Sequence, residues 1–477
     1  MFRVIEIENE SGWPKTGIRR LFGAPLHALA TLISWGIDSR PLSEHKVVHD
    51  SVLGGVRLEG VFLSLLEVPE LQRLHSIHQL GLAYLVYPGA NHTRFEHSLG
   101  TYHIAKRICK SLQVDKEEER LIECAALLHD VGHLPYSHTL EFELHDQFGI
   151  DHMELSRRLI RGEDSVLTAS EKKILGKSPT IPEVLEKHGI SPQEVAAILD
   201  AAAPGPSAQK KLAKFDEQTH FNTRRYMSQI VNGPIDADQL DYLGRDAHYT
   251  GVAYGVIDLD RLIETMEIFN GDLVVDRGGL SAVEGMLVAR ALMFSAVYFH
   301  KTVRISELML SKAVEMLGEN EVANIHVMTD ATLLAHLVSK GGYFEEIATL
   351  IKYRRLYKKA HAIRSADLDQ DGWNHIDELG SVSKRRSLEE DIARRAGIPP
   401  GRVIIDIPSS ELTISEPRIG LTDVRISDDG KIRLLPRLST IAASLQIRRS
   451  HEWAAMVACP AKDVPRVKKA AEKILVV

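Results

Sequence analysis

Histidine is concentrated in one short part of the chain. Eight of the 22 histidines lie between residues 92 and 152, and several neighbour a carboxylate, as in Glu96-His97 and His129-Asp130. Imidazole and carboxylate are the usual nitrogen and oxygen ligands of the metal ions that assist hydrolysis. The composition of this segment therefore favours a metal-dependent hydrolytic site.

The pair His129-Asp130 has the most informative setting. It follows the stretch Glu117–Leu128, whose spacing of apolar residues predicts a helix with a buried face. Two ionisable side chains at the end of a buried helix are costly unless something compensates their desolvation, and a divalent cation would do so. For this pair alone the alternative is a histidine favoured by the helix dipole, beside a solvated aspartate.

Two further blocks place ionisable side chains between apolar ones. Four aspartates fall within residues 236–246, where Asp238, Asp241 and Tyr242 would share part of a helix surface. Taken alone, that stretch is more typical of an acidic, solvated helix face. The second block is basic and aromatic and contains Arg290, Tyr298, His300, Lys301 and Arg304. It suits a polyphosphate joined to a sugar or base, although basic side chains that extend from a core helix to solvent give the same pattern.

The amino-acid composition excludes several classes of protein. The 477 residues are 44% hydrophobic and 26% charged, which is a globular balance with enough apolar residues for a large core. A net charge of −7 argues against a dedicated nucleic-acid binder. Three scattered cysteines give no disulfide framework. No apolar run reaches the length of a membrane span, and the first 30 residues lack the pattern of a signal peptide. We therefore expect a cytoplasmic location and no membrane partner.

The periodicity of the sequence predicts a mainly α protein with a smaller C-terminal α+β region. We expect an N-terminal appendage over residues 1–44, a helical core over 45–317 and a C-terminal region over 318–477. Predicted helices are Glu117–Leu128, a long helical stretch within Leu280–Leu317, Leu438–Leu445 and Val464–Ile474. Predicted strands are Phe2–Glu8, Val403–Ile407, Ile414–Ile419, Ile432–Leu435 and Trp453–Val457.

The stretch Ala366–Ser387 is polar and predicts a loop. Within it, Asp367–Glu378 has the spacing of an EF-hand calcium loop, with Gly372 at the sixth position. However, Asn374 stands at the eighth position, where an apolar residue is expected. An acidic surface loop is therefore favoured over a calcium site.

Together and in this order, these blocks resemble the HD-domain family, and within it the dNTP triphosphohydrolases. The motifs that carry the resemblance are Pro69–Leu74, Gln79–Gly81, Tyr87–Ala90, His92–Gly100, His129–His138 and Asp236–Asp246. The resemblance runs from about His45 to the C-terminus, and residues 1–44 do not match a SAM domain. It implies an HD-domain helical core and hydrolysis of a dNTP to deoxynucleoside and inorganic triphosphate.

The resemblance also implies roles for individual residues. One divalent metal ion, typically iron and in some relatives manganese or magnesium, would be held by His97, His129, Asp130 and Asp238. Catalytic positions, for the α-phosphate and for proton transfer, fall on Arg94, His133, His138, Glu141 and His152. Substrate contacts fall on Gln79, Leu80, Tyr242, Asp246, Arg290 and Tyr298, the last of these beside the sugar, where it excludes a 2′-hydroxyl.

Relatives carry a second, activating nucleotide site at a subunit interface, so a nucleotide effector and a homodimer or homotetramer are expected. Its positions are occupied here by Lys46, Val47, Glu67, Gln72, His300, Lys301, Arg354, Leu356 and Lys358. His75 replaces an arginine that reads guanine in relatives, and histidine cannot make that bidentate contact. The effector is therefore not expected to be strictly a guanine nucleotide.

Two departures from the family pattern and two alternative functions stay open. Glu141 stands where relatives favour aspartate, and Gln239 stands where they often have a phosphate-binding lysine. The same metal site could serve a phosphatase or diesterase that acts on another nucleotide. A nucleotide-responsive protein that binds RNA or single-stranded DNA, with little catalysis, is the third interpretation. Nucleic acid is the less expected partner.

Overall fold

The computed structural model describes residues 45–200, 224–408, 424–446 and 452–475. Helices dominate these residues, as the sequence pattern predicts. Those of the first half are α1 (Val61–Leu65), α2 (Pro69–Arg73), α3 (Arg94–Leu112), α4 (Lys116–Leu128), α5 (Glu141–Phe148), α6 (His152–Arg161), α7 (Ala169–Leu175), α8 (Ile181–Lys187), α9 (Pro192–Asp200), α10 (Arg225–Val231) and α11 (Ala237–Thr250). Those of the second half are α12 (Leu259–Glu264), α13 (Leu280–Met293), α14 (Lys301–Glu315), α15 (Glu319–Val322), α16 (Asp330–Lys340), α17 (Gly342–Lys352), α18 (Gln370–Leu379), α19 (Val382–Ala396), α20 (Thr440–Gln446) and α21 (Val464–Ile474).

The strands of the described residues form three small sheets. They are β1 (His45–Asp50), β2 (Gly54–Glu59), β3 (Met266–Phe269), β4 (Asp272–Asp276), β5 (Lys358–Arg364), β6 (Ile404–Asp406), β7 (Arg425–Asp428), β8 (Lys431–Leu434) and β9 (Trp453–Cys459). β1 and β2 form a hairpin, β3-β4-β7-β8 form a four-stranded sheet, and β5-β9-β6 form an antiparallel sheet. Only the β4–β7 pair is parallel among these described strands.

The main core surrounds α3, α4 and α11. α4 begins after Asp115, whose side chain accepts a hydrogen bond from the Glu117 backbone N–H and so caps the helix. Its apolar face, with Ile122 fully buried, packs against α3, and α3 also packs against α11. The helix predicted over Glu117–Leu128 is confirmed, and its last turn ends inside the core rather than at the surface.

The polar stretch Ala366–Ser387 is not a loop, and that prediction is wrong. α18 covers much of it and α19 begins within it. The side chain of Asp369 accepts a hydrogen bond from the backbone N–H of Gly372 and starts α18, while Ile376 is buried against the C-terminal sheet region. Because most of Asp367–Glu378 is helical, it does not have the conformation of an EF-hand loop.

The long helical stretch predicted within Leu280–Leu317 consists of two helices joined by a π-helical turn. In this π-turn (Phe294–Tyr298), the backbone N–H of Phe299 donates to the carbonyl of Phe294, five residues earlier. The carbonyl of Ala296 accepts a hydrogen bond from the hydroxyl of Tyr87 instead. π-turns contain one residue more than the α-helical repeat requires and occur frequently at functional sites.

The other C-terminal helices and strands that the sequence predicts are confirmed where the structure describes them. β6, β8, β9, α20 and α21 lie at or within two residues of the expected positions. The predicted strands Phe2–Glu8 and Ile414–Ile419 lie outside the described residues.

One described segment, Arg277–Tyr298, has the length and mean hydropathy of a membrane span. Half of its most apolar window is buried inside the protein. Arg290 lies within it, is itself buried, and donates a hydrogen bond to Gln239. The segment is therefore accounted for as a core helix.

Candidate active site

Three helix ends bring the predicted metal ligands together. α3 begins at Arg94 and places His97 one turn from its start. α4 ends just before His129 and Asp130. α11 places Asp238 in its first turn, where the positive end of the helix dipole favours a carboxylate.

The distances among these side chains match a site for a single ion. His97 Nε2 lies 2.8 Å from Asp238 Oδ1 and 3.7 Å from Asp130 Oδ2. His129 Nε2 lies 3.2 Å from Asp130 Oδ1 and 3.8 Å from Asp238 Oδ1. Ligands about 2.0–2.2 Å from a common ion are separated by distances of this size.

The second ring nitrogen of each histidine fixes which atom faces the site. His97 Nδ1 lies 2.9 Å from Asp241 Oδ2, and His129 Nδ1 lies 2.8 Å from the carbonyl of Ala126. Both oxygens accept, so each Nδ1 carries the proton and each Nε2 of a neutral ring offers its lone pair. Both Nε2 atoms are buried, and both face the carboxylates of Asp130 and Asp238. The donor set therefore fits a divalent metal ion.

The charge of the cluster also supports a divalent metal ion. Burial lowers the pKa of His97, but the hydrogen bonds to Asp238 and Asp241 and the charge of Asp130 outweigh it and raise the pKa to about 10. Negative charge in the cluster thus holds a proton strongly on a buried imidazole. A divalent cation would balance the charges of Asp130 and Asp238 in its place.

Asp241 is held by its own buried partners. Arg245 donates to its two oxygens at 2.7 and 2.9 Å and reaches Asp50 at 2.7 Å. Gly100 of α3 faces this pair, and a Cβ there would lie 1.9 Å from Asp241 Oδ1. The glycine therefore allows α3 and α11 to approach closely enough for Asp241 to reach His97.

Arg94 lies directly beside the cluster, as the sequence predicts. Its Nη1 donates to Asp130 Oδ2 at 2.7 Å, and its Nε donates to Ser137 Oγ at 2.8 Å. Burial raises the pKa of Asp130, but Arg94 and the neighbouring histidines hold it well below its usual range. Contact of Arg94 with an α-phosphate stays a prediction.

The four residues predicted for proton transfer form one connected group. Glu141 accepts from Nδ1 of His138 at 2.8 Å and from Nδ1 of His152. The rings of His133 and His152 stack with centroids 4.0 Å apart, and His133 Nε2 lies 3.2 Å from Asp130 Oδ1. The longer side chain of glutamate, in place of aspartate, thus bridges two histidines.

The surroundings of the histidines in this group shift their pKa values in different directions. Burial and the charge of Arg94 lower the pKa of His133 well below its ordinary value. Burial also lowers the pKa of His152, but the carboxylate of Glu141 outweighs it and raises the pKa. His138 forms the exposed end of the group, with 46% of its side chain accessible. His138 is therefore the member of this group that a ligand can reach.

A glycine sets the spacing of this group as well. Gly132 lies between Asp130 and His133, and a Cβ there would lie 2.4 Å from the backbone nitrogen of Ser156 and 2.5 Å from the carbonyl oxygen of His152. α6 can therefore approach the end of α4 only because position 132 has no side chain.

Several predicted substrate contacts present buried polar atoms with no partner in the parts of the chain that are described: Gln79 Oε1, Tyr242 Oη, and Nε and Nη2 of Arg290. The remaining Nη1 of Arg290 donates to Gln239 Oε1 at 2.7 Å. Leu80 is half-buried and packs against the main core. Buried donors and acceptors of this kind are costly unless a polar ligand satisfies them.

The residues predicted to contact the sugar are joined to each other. Tyr298 donates from its hydroxyl to Asp246 Oδ2 at 2.6 Å. Asp246 is buried, and its other oxygen lies 2.8 Å from His92 Nε2. Tyr298 closes the π-turn, so the extra residue of that turn determines the direction in which its ring points.

The predicted effector residues lie on separate elements. Lys46 and Val47 are exposed on β1, Glu67 precedes α2, Gln72 lies within α2, His300 caps α14, and Lys358 begins β5. Arg354 donates to the carbonyl of Leu85, and Leu356 is buried in the second core cluster. No hydrogen bond or ion pair joins any two of them in the described ranges. Lys301 lines a cavity of about 340 Å³ with, among others, Lys359, Arg364 and Lys468.

Comparison with known proteins agrees with this geometry. The family model for the HD domain matches residues 94–243, and that for the HD associated region matches residues 257–477. The chain is 31% identical over 439 residues to the uncharacterized protein MJ1154 of Methanocaldococcus jannaschii, covering 89% of this chain and 81% of that protein. The chain belongs to the HD-domain family. The HD match begins at Arg94 in α3 and ends at Leu243 in α11, so it includes every predicted metal ligand.

Two other relatives extend the comparison. A crystal structure of a hypothetical protein from Aquifex aeolicus has a TM-score of 0.63 and 28% identity, covering 90% of this chain and all of that one. The human deoxynucleoside triphosphate triphosphohydrolase SAMHD1 is 25% identical over 398 residues, covering 76% of this chain and 60% of that enzyme. This HD-domain protein is accordingly a member of a hydrolase family whose domain binds a divalent metal.

Sequence reasoning assigned no role to several buried residues of this HD domain. Asp241 and Arg245 lie four residues apart on α11, a spacing typical of a helical ion pair, and that signal was available. The contacts of Asp50 with Arg245 and of His92 with Asp246 join positions far apart in the chain, so no local pattern predicts them.

Proposed function

We propose that this HD-domain hydrolase cleaves dNTPs to deoxynucleoside and inorganic triphosphate. The observation that carries the proposal is the alignment of Asp238, Tyr242 and Asp246 at four-residue intervals along α11. These intervals place on one helix face, over about 12 Å, a predicted metal ligand, a buried hydroxyl without a partner among the described residues, and the partner of Tyr298. A nucleotide laid along this face would have phosphate at one end and sugar at the other.

A divalent ion held by His97, His129, Asp130 and Asp238 would polarise the α-phosphate toward attack by water. Arg94 and the free donors of Arg290 neutralise phosphate charge as it develops. Water attacks the α-phosphorus, and the bond from phosphorus to the 5′-oxygen of the nucleoside breaks.

The departing 5′-oxygen needs a proton. His138, whose Nδ1 donates to the ionised Glu141, would supply it from Nε2. Burial outweighs the carboxylate of Glu141 and lowers the pKa of His138, so its cation gives up a proton readily. His152 shares the same carboxylate and can restore the proton after turnover. The hydroxyl of Tyr298, directed at Asp246, places the ring beside the sugar, where a 2′-hydroxyl would need space.

The test is to incubate the purified protein with each dNTP and a divalent metal ion and to separate the products chromatographically. Deoxynucleoside with intact triphosphate supports the proposal; pyrophosphate or monophosphate products would instead favour the alternative phosphatase or diesterase. His129→Ala should lose both bound metal and turnover. His336→Ala, which removes a histidine paired with Glu321 elsewhere in the fold, should keep both.

The specificity prediction concerns the sugar. Tyr298→Ala should lower discrimination between dNTPs and NTPs, because the ring that occupies the space of a 2′-hydroxyl is removed. Competition between a dNTP and the matching NTP measures this ratio directly. An unchanged ratio would remove Tyr298 from that role.

Regulation belongs to the same proposal. Four cations line the cavity at Lys301 and outnumber Glu452 and Glu472 there, which supports a phosphate-bearing effector. Effector positions scattered over several elements suit a pocket completed in a homodimer or homotetramer. Turnover of one dNTP, titrated with each other nucleotide during mass measurement in solution, tests both parts. Hyperbolic kinetics from a monomer with no response would contradict the regulatory part alone.

A further inference from the structure

The histidine at position 92 has a buried environment that the reaction outlined above does not use. His92 is 1% exposed, and its Nε2 lies 2.8 Å from Asp246 Oδ1. Because a carboxylate oxygen only accepts, Nε2 carries the proton. His92 Nδ1 is buried and has no hydrogen-bond partner among the residues that the structure covers, which suits the unprotonated nitrogen of a neutral ring.

The ring of His92 is itself fixed from the other side. Tyr249 stacks on it with ring centroids 4.5 Å apart and planes 16° apart. The hydroxyl of Tyr249 lies 2.7 Å from Glu96 Oε1 and 2.7 Å from Ser51 Oγ. The other oxygen of Glu96 accepts from the backbone N–H of Thr93 at 2.7 Å, in the capping box of α3. His92 thus connects the sugar side of the pocket to the start of the helix that carries His97.

We propose that His92 is a positioning residue for sugar recognition: its Nε2–H holds the Asp246 carboxylate so that Tyr298 keeps its hydroxyl bond and its place beside the sugar. This inference rests on the proposed function. Asp246 Oδ1 accepts from His92 and Oδ2 accepts from Tyr298, so the carboxylate plane is defined at both oxygens. Without the first bond, Asp246 can rotate about its side-chain torsion, and the bond that directs Tyr298 is lost with it.

Two substitutions separate this role from general packing. The side-chain nitrogen of glutamine can reach the place of histidine Nε2, whereas that of asparagine reaches only the place of Nδ1. His92→Gln therefore keeps a donor for Asp246, and His92→Asn does not. Tyr249→Phe is a matched control, because it removes a hydrogen bond from the same layer without touching Asp246.

For His92→Asn we expect KM for the best dNTP to rise roughly tenfold and the dNTP/NTP discrimination ratio to fall by a similar factor, which is the usual effect of losing one charged hydrogen bond. Bound metal should stay at the parental level, since His92 does not contact the ligands. His92→Gln and Tyr249→Phe should stay within about threefold of the parent. Equal discrimination in the asparagine and parent proteins, or equal losses in the asparagine and glutamine variants, would overturn the inference.

A crystal structure of the His92→Asn variant gives a second test, which does not depend on whether the protein hydrolyses dNTPs. We expect the Asp246 carboxylate to be rotated and its bond to Tyr298 to be broken; retention of that bond would refute the positioning role. If the parent protein hydrolyses no dNTP, the proposed function fails. The structure of the variant then still decides whether His92 positions Asp246.

Discussion

Asp241→Asn tests whether the residue behind His97 sets metal affinity. The carboxylate receives His97 Nδ1–H through Oδ2 and Arg245 through both oxygens. An amide offers one acceptor oxygen and directs two N–H groups at the other donors, so His97 or Arg245 loses its partner. Loss of a carboxylate that orients a ligating histidine costs about 10–100-fold in metal affinity, which is about 1.4–2.7 kcal/mol.

The chain contains a matched control for this change. Asp50 is also buried and also binds Arg245, at 2.7 Å, but it does not contact His97. Both Asp241→Asn and Asp50→Asn weaken a buried ion pair of Arg245, and each should lower stability by about 1–3 kcal/mol. Only Asp241→Asn should weaken metal binding.

The assay is titration of the metal-loaded protein with a chelator of known affinity, together with urea unfolding of the metal-free protein. We expect similar unfolding free energies for the two variants and a dissociation constant raised at least tenfold for Asp241→Asn alone. Equal metal affinities in the two variants would refute the argument that Asp241 acts through the imidazole of His97.

Two other predictions concern a glycine and a buried carboxyl. Gly132→Ala should lower kcat with parental metal content, because the new methyl group meets the backbone nitrogen of Ser156 at 2.4 Å and displaces α6 with His152. The control Gly285→Ala, where a Cβ meets nothing within 4 Å, should not. Burial raises the pKa of Glu123 to about 7, so the folded state keeps its proton longer, and stability should fall by up to about 3 kcal/mol as pH rises from about 4.5 to 7. Urea unfolding at pH 5 and pH 8 should show a loss that is larger in the parent than in Glu123→Gln by about this amount, since other buried carboxyls such as Asp236 titrate in both proteins.

The sequence predicted part of the ligand set because that chemistry is local. His129 and Asp130 are adjacent at the end of a predicted buried helix, so residue type and spacing suggested a cation there. The addition of His97 and Asp238 to the set came from the resemblance to the HD-domain family, because the acidic run alone favoured a solvated face. A solvated acidic face, the alternative for that run, is wrong: Asp236, Asp241 and Asp246 are buried. Their burial depends on distant partners such as Asp50 and His92, and no pattern within the run specifies those.

The missed helix α18 has a different cause. Its sequence is polar because one face is exposed, and the few apolar residues that it buries, such as Ile376, leave a weak periodic signal. The N-cap at Asp369 was available but competed with the spacing of an EF-hand loop. Local propensity favours neither a helix nor a loop clearly here, and contacts with the C-terminal sheet region stabilise the helix.

The π-turn at Phe294–Tyr298 affects how the side chains of this pocket can change during evolution. Arg290 precedes the turn and Tyr298 ends it, so one continuous helical path carries two contacts whose relative rotation depends on a single additional residue. Removing that residue would rotate everything after it by about 100° around the helix axis while leaving Arg290 in place. A one-codon deletion would therefore put a different side chain in the place of Tyr298 without changing the predicted metal ligands.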